Sequence, residues 1–113
     1  MNIQIFGTKK CFDTKKAQRY FKERSIKFQF IDLSQKSVSR GELNSIVANA
    51  GALENVINEK SKYYESSYIK YVAGDEAKIE KILENGELLK TPIVRNRKLS
   101  TIGYCPEIWK TWE

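Results

Sequence analysis

The chain has 113 residues, 41% hydrophobic and 30% charged, which is the composition of an ordinary single-domain globular protein. It has no histidine and two cysteines, which excludes Ser-His-Asp catalysis, Cys-His catalysis and any histidine-based metal site. We therefore expect no metal and no bound cofactor. The net charge of +6 favours an anionic ligand, although lysines scattered in this way are typical of solvated faces rather than of direct nucleic-acid binding.

No apolar run reaches the ~20 residues of a membrane span. The first residues also lack the charged and apolar regions of a signal peptide. We therefore expect a cytoplasmic protein that does not bind membranes, with both cysteines as thiols.

The first third of the chain predicts a strand, a helix and a second strand. Residues 2–6 form the first strand, and a helix capped by Asp13 or Thr14 ends near residue 25. Residues 26–32 are rich in β-formers and predict the second strand. A strand, a helix and a strand within about thirty residues indicate a βαβ unit with parallel strands.

A helical insert is predicted over about residues 39–86. Ser39 begins a capping box, and that helix ends at Gly51. Residues 66–72 predict a short helix, and Asp75 is the expected N-cap of a helix that ends at residues 85–86. Residues 55–64 remain ambiguous.

The last third predicts two strands and a terminal helix. Residues 88–95 form a strand containing Pro92, residues 99–102 form its hairpin partner, and Pro106 suits the first position of the final helix. The order is βαβ, helical insert, ββα, which predicts an α/β fold with a mixed four-stranded sheet flanked by helices over residues 1–113.

Cys11 lies between the first predicted strand and helix, where the helix dipole and unpaired backbone N–H groups stabilise a thiolate. Such settings lower a thiol pKa from about 8.5 to about 3.5–7.5, so Cys11 is a candidate nucleophile. Asp13 opposes this effect, and four nearby lysines should support it: Lys9, Lys10, Lys15 and Lys16.

Three segments carry a family resemblance. Residues 6–17 resemble the opening Tyr-Gly-x-x-x-Cys-x-x-x-[Arg/Lys]-Lys-Ala, residues 91–94 (Thr-Pro-Ile-Val) resemble an Arg-Pro-hydrophobic signature, and residues 102–104 resemble a Val-Gly-Tyr/Phe element. With the element order, they resemble the thioredoxin fold and, more closely, the arsenate reductase (ArsC)-related family, which includes the Spx-like regulators.

The resemblance implies a set of site residues. Cys11 corresponds to the nucleophilic cysteine, Lys15 stands where arsenate reductases carry an arginine, and Pro92 corresponds to a cis-proline that lies opposite the cysteine. The implied residues for binding an anion or substrate are Lys10, Thr14, Lys15, Thr91, Pro92 and Tyr104.

The departures from the family pattern are informative. Thr91 and Tyr104 stand at two positions where arsenate reductases hold the oxyanion with arginine, and Asn58 or Lys60 stands at a third. Lysine cannot reproduce the planar fork of guanidinium, so these changes argue against efficient arsenate reduction. Thr14 replaces the second cysteine of Spx-like proteins, so a local redox switch cannot form.

Two further residues have alternative interpretations. Cys105 is either a resolving cysteine for Cys11 or a buried or capping residue at a helix start. Arg95 either faces solvent or binds an anion near Cys11.

Three functional hypotheses follow. In the first, Cys11 attacks a small oxyanion or a glutathione mixed disulfide, and glutathione, another small thiol, glutaredoxin or thioredoxin resolves the adduct. In the second, the protein is a non-enzymatic, Spx-like regulator or adaptor that binds RNA polymerase. The third is a thioredoxin-fold domain without catalysis.

Overall fold

The computed structural model describes all 113 residues, and it has one four-stranded sheet with helices packed on both faces. The strands are β1 (Ile3–Gly7), β2 (Phe28–Asp32), β3 (Ile93–Asn96) and β4 (Leu99–Ile102). The helices are α1 (Phe12–Glu23), α2 (Arg40–Ala50), α3 (Tyr63–Ser66), α4 (Asp75–Glu84) and α5 (Pro106–Trp109). None of these helices is both long and apolar enough to cross a membrane.

The strand order is β2-β1-β3-β4. β1 and β2 are parallel, whereas β3 is antiparallel to both β1 and β4, so the predicted mixed sheet is confirmed. In the β1–β3 register, Phe6 lies opposite Ile93. The turn that follows β1 therefore meets the segment that precedes β3, and this brings residues near 11 and 91 together.

Each face of the sheet covers its own apolar core, because successive strand side chains alternate between the faces. Phe6, with Ile93 opposite it, packs into a cluster built mainly from the helical insert. Ile3 and Ile5 pack on the other face with α1 and Trp109. Both faces are thus filled, which fixes the register of β1.

The predicted start of α1 is wrong by a few residues. Cys11 is the N-cap and neither Asp13 nor Thr14 caps the helix. Thr14 is the third residue of the helix, and its side chain is buried, 1% exposed, against Gly7 of β1. Asp13 lies in the first turn, where its charge complements the helix dipole.

The capping box at Ser39 is confirmed. Its hydroxyl accepts a hydrogen bond from the Glu42 N–H, and the Glu42 carboxylate accepts one from the Ser39 N–H. Gly51 ends α2 with a φ of 91°, which glycine adopts readily.

Two other predictions in the insert need correction. Asp75 is the first residue of α4 rather than its N-cap, because Gly74 occupies the N-cap in an extended conformation with positive φ that favours glycine. Residues 66–72 do not form one helix. Tyr68 has a φ of 59°, which separates α3 from a 3₁₀ turn at Ile69–Tyr71.

The strands are shorter than predicted. β2 begins at Phe28 rather than at residue 26. β3 begins only after Pro92, which has no N–H to donate to a ladder. Before it, Leu88 ends a 3₁₀ turn and Leu89 makes one isolated bridge to Ile57. The terminal helix has Pro106 at its first position, as predicted.

Candidate active site

Cys11 lies at the point where the chain leaves β1 and enters α1. Its N–H donates to the Thr8 carbonyl at 3.2 Å, and its carbonyl accepts the Lys15 N–H at 3.1 Å. The backbone of Cys11 is extended, with a φ of −80° and a ψ of 117°, as expected for an N-cap. The side chain is half-buried and therefore both positioned and accessible.

Thr91 approaches Cys11 from the other side of the turn. Its hydroxyl lies 3.2 Å from the Cys11 sulfur and donates a hydrogen bond to it. The thiol in turn lies 3.9 Å from the Thr91 carbonyl. The Thr91–Pro92 peptide bond is cis, as the resemblance implied. Thr91 is therefore a direct partner of the cysteine, a contact that its position before a proline does not reveal.

The pKa of Cys11 is lowered from the ordinary thiol value by hydrogen bonding. Partial burial of the sulfur raises the pKa, but donors from two side chains and two backbone groups together outweigh it. The hydroxyls belong to Thr14 and Thr91, and the N–H groups to Asp13 and Thr14. The backbone N–H groups that the sequence predicted as stabilising are among these donors, whereas none of the four neighbouring lysines that were expected to add to the effect is among the causes of the shift.

Thr14, in the first turn of α1, is the second residue whose hydroxyl lowers the pKa of Cys11. Its oxygen is buried and has no hydrogen-bond partner of ordinary geometry. The Cys11 sulfur is the acceptor whose negative charge it stabilises. Gly7 makes this placement feasible, since a Cβ at residue 7 would overlap Thr14 Oγ1 and lie 3.0 Å from Thr14 Cβ.

An open groove of about 830 Å³ begins at Cys11. Asn58, Lys60 and Thr91 line it, so the structure brings these candidate residues to the cysteine. Its charged residues are two lysines and three carboxylates: Lys60, Lys90, Asp13, Glu54 and Glu59. The groove is therefore mixed in charge rather than purely cationic, and no arginine lines it.

Two of the predicted cations lie elsewhere. Lys10 lines a neighbouring groove of about 680 Å³, which shares Asn58 and Thr91 with the groove of Cys11. Lys15 is exposed, with its ammonium nitrogen 5.4 Å from the centre of the Phe12 ring. Lys10 thus remains next to the candidate site, whereas Lys15 faces outward along α1.

Three other candidate residues, Tyr104, Arg95 and Cys105, do not line the groove of Cys11. Tyr104 lines a separate groove between α1 and α5. Arg95 pairs with Gln4 in the sheet, and its guanidinium donates to the Gln4 amide oxygen at 3.0 Å, toward the strand end remote from Cys11. The interpretation that Arg95 binds an anion near Cys11 is therefore wrong.

Cys105 packs against the core that contains Trp109, and both cysteines are free thiols. It occupies the N-cap of α5, and its thiol donates to the Ile102 carbonyl at 3.3 Å. The structure thus fits the half-buried, helix-start interpretation of this residue.

Several residues of the site were not predicted, and they include Glu54 and Glu59 of the groove as well as Gly7 and Lys90. Gly7 admits the Thr14 side chain, and Lys90 lines the groove next to Thr91. A glycine at the end of a strand, four residues before Cys11, was a usable signal for close packing. No cluster of three or more potential metal ligands occurs. The hydrogen-bond donors around the Cys11 sulfur can support nucleophilic attack by a stabilised thiolate.

Comparison with known proteins places this site in a family. Residues 6–112 match the model of the ArsC family. The chain is 27% identical over 109 residues to the global transcriptional regulator Spx 2 of Oceanobacillus iheyensis, covering 92% of this chain and 78% of that protein. It is 26% identical over 107 residues to the global transcriptional regulator Spx of Streptococcus pyogenes, covering 90% and 78%.

A solved structure supports the same fold. The arsenate reductase from Vibrio cholerae superposes with a TM-score of 0.82 at 22% identity, over 96% of this chain and 94% of that one. At this identity the likeness concerns the fold rather than the activity. The match over residues 6–112 is the stronger finding, and it shows that the chain belongs to the ArsC family.

Proposed function

We propose that the protein is a thiol oxidoreductase that uses Cys11 as its single nucleophile. The observation that carries this proposal is the hydrogen bond from the Thr91 hydroxyl to the Cys11 sulfur, 3.2 Å long, at a half-buried helix N-cap that opens into a groove. Donors at this position stabilise the thiolate, which is the reactive form of cysteine.

The substrate class that we propose is a mixed disulfide of a small thiol such as glutathione. The Cys11 thiolate attacks one sulfur, the substrate disulfide breaks, and the other sulfur leaves as a thiolate that takes a proton from water. A second thiol, from glutathione, glutaredoxin or thioredoxin, then attacks the Cys11 mixed disulfide and releases the Cys11 thiolate. The proton of the second thiol returns to water, and overall one thiol and one disulfide are consumed while one thiol and one disulfide are formed.

Two observations favour a disulfide over arsenate and an external thiol over an internal one. The groove at Cys11 has no arginine to hold an oxyanion with paired donors. Cys105 packs against the core at the start of α5, and its thiol is hydrogen-bonded to a backbone carbonyl. We therefore propose that a thiol of a second molecule attacks the Cys11 mixed disulfide.

The test is the pH dependence of Cys11 alkylation in Cys105→Ser protein, with and without oxidised glutathione or arsenate. We expect a thiolate that titrates below about 8.5 and that oxidised glutathione protects more than arsenate does. Cys11→Ser is the matched control. The second assay measures the turnover of a glutathione mixed disulfide in the presence of added glutathione. Titration at the ordinary value, without protection by either compound, would contradict the proposal.

A second candidate function is that of a non-enzymatic regulator. It is favoured by the two relatives of 27% and 26% identity that are named as global transcriptional regulators. In this alternative the protein binds RNA polymerase, and the binding survives Cys11→Ser. Binding of purified RNA polymerase to wild-type and Cys11→Ser protein, compared at two salt concentrations, separates it from the enzymatic proposal.

A further inference from the structure

A second groove, of about 560 Å³, lies between α1 and α5, and we call it the α1–α5 groove. It is distinct from the groove that contains Cys11, with which it shares no lining residue. Two carboxylates, Glu23 and Glu107, line it. Four cations line it as well: Lys16, Arg19, Arg24 and Lys110. The groove is therefore cationic, whereas the groove of Cys11 is mixed.

Two of the four cations of this groove lie against aromatic rings, and a third, Lys110, pairs with Glu107 at 3.7 Å. The Lys16 ammonium lies 5.6 Å from the centre of the Tyr104 ring, and the Arg24 guanidinium lies 3.7 Å from that of Tyr20. Lys16 and Arg19 form no salt bridge, and that of Arg24 to Glu113 is long, at 4.0 Å. A cation placed by a ring keeps its charge for an external anion.

The same surface also offers apolar area. Tyr104 is 42% exposed and stands edge-on against buried Trp109, with 5.5 Å between ring centres. A rigid aromatic ring backed by the core, beside unpaired cations, is the combination that protein interfaces use for an anchor and a polar rim.

We propose that the α1–α5 groove is a docking site for an acidic segment of a protein partner. Carboxylates of the segment pair with Lys16 and Arg19, and an apolar side chain lies against Tyr104. Charge complementarity selects this occupant, because the groove has four cations and two carboxylates, and two of the cations, Lys16 and Arg19, form no salt bridge. The docking does not depend on the Cys11 thiol, so it can be tested independently of the proposed thiol chemistry.

The probe is a short fluorescent peptide of Asp, Glu and Leu, with its Asn, Gln and Leu counterpart as the uncharged control. The test variant is Lys16→Glu combined with Arg19→Glu. The matched control is Lys27→Glu combined with Lys36→Glu, which makes the same change in net charge at exposed lysines outside the groove. Fluorescence anisotropy gives the affinity, and circular dichroism melting checks that each variant is folded.

We expect the test variant to bind the acidic peptide about tenfold more weakly than the matched control. Tyr104→Ser should weaken binding of the peptide while Tyr104→Phe retains it, which separates the anchor from the charges. Cys11→Ser should bind as wild type does. Equal losses in the two charge variants, or equally tight binding of a short DNA duplex at the same sites, would overturn the proposal in favour of a general anion surface.

Discussion

The two cysteines occupy the same kind of position and behave in opposite ways. Cys11 is the N-cap of α1, and Cys105 is the N-cap of α5. The pKa of Cys11 is lowered, because donors outweigh the effect of its burial, whereas burial raises the pKa of Cys105. A helix N-cap alone therefore does not make a reactive thiol.

The difference lies in the hydrogen bonds around each sulfur. Burial raises the pKa of both thiols, but at Cys11 four donors, from the Thr14 and Thr91 hydroxyls and the Asp13 and Thr14 N–H groups, outweigh it. At Cys105 the side chain of Thr101 is the one donor that opposes burial, and burial prevails. Helix length adds to this contrast, since α1 has twelve residues and α5 has four.

The largest expected effect is the loss of thiol chemistry in Cys11→Ser. We expect rapid alkylation near neutral pH and any disulfide turnover to disappear, because the sulfur is the nucleophile. Cys105→Ser should retain both. Mass spectrometry after a brief pulse of iodoacetamide identifies the modified cysteine, and preferential labelling of Cys105 would reverse the comparison.

Gly7→Ala should displace the Thr14 hydroxyl, which lowers the pKa of Cys11, while the cysteine itself remains in place. The new Cβ overlaps the Thr14 side chain, so we expect a loss of about 1–3 kcal/mol in the free energy of unfolding and a raised Cys11 pKa. Gly41→Ala is the matched control, because a Cβ there meets nothing within 4 Å.

Urea unfolding and the pH dependence of alkylation measure the two effects of Gly7→Ala. If this variant equals the Gly41→Ala control in both, the close packing of Thr14 on β1 has no role in the reactivity of Cys11.

The sequence anticipated the fold better than it anticipated the site. Alternation and capping signals are local, so the strands, the Ser39 capping box and the helix at Pro106 could be read directly. The contact between Thr91 and Cys11 joins residues 80 positions apart, and only the β1–β3 register creates it. The lysines adjacent in sequence to Cys11 were expected to support the thiolate, but the groups that lower its pKa are hydrogen-bond donors, and one of them, Thr91, is remote in sequence.

Thr91→Val tests one donor while it keeps the shape of the side chain. A hydrogen bond of this kind contributes about 1 kcal/mol, so alkylation of Cys11 near neutral pH should slow about fivefold. Thr91→Ser should retain most of the rate because its hydroxyl remains, and Cys105 should not change. An unaltered rate in Thr91→Val would assign the low pKa to Thr14 and the backbone donors alone.

The smallest expected effect is a pair of opposite slopes in stability against pH. The folded pKa of Cys11 lies below its unfolded value of about 8.5, so between the two the unfolded chain binds more protons. The contribution of Cys11 is therefore complete above the unfolded pKa and is lost as pH falls through the folded one. For Cys105 the folded pKa is higher, so stability declines as pH rises above about 8.5.

Urea unfolding of the wild type, Cys11→Ser and Cys105→Ser from pH 6 to pH 10 measures these slopes. The difference between wild type and Cys11→Ser should grow with pH, and that between wild type and Cys105→Ser should shrink. Subtracting each serine variant removes groups that titrate in all three proteins, including Tyr20, whose pKa is raised by burial. Both effects are small because both sulfurs are partly exposed and screened by water. Slopes of the same sign would mean that the hydrogen bonds at the two N-caps do not set the thiol equilibria.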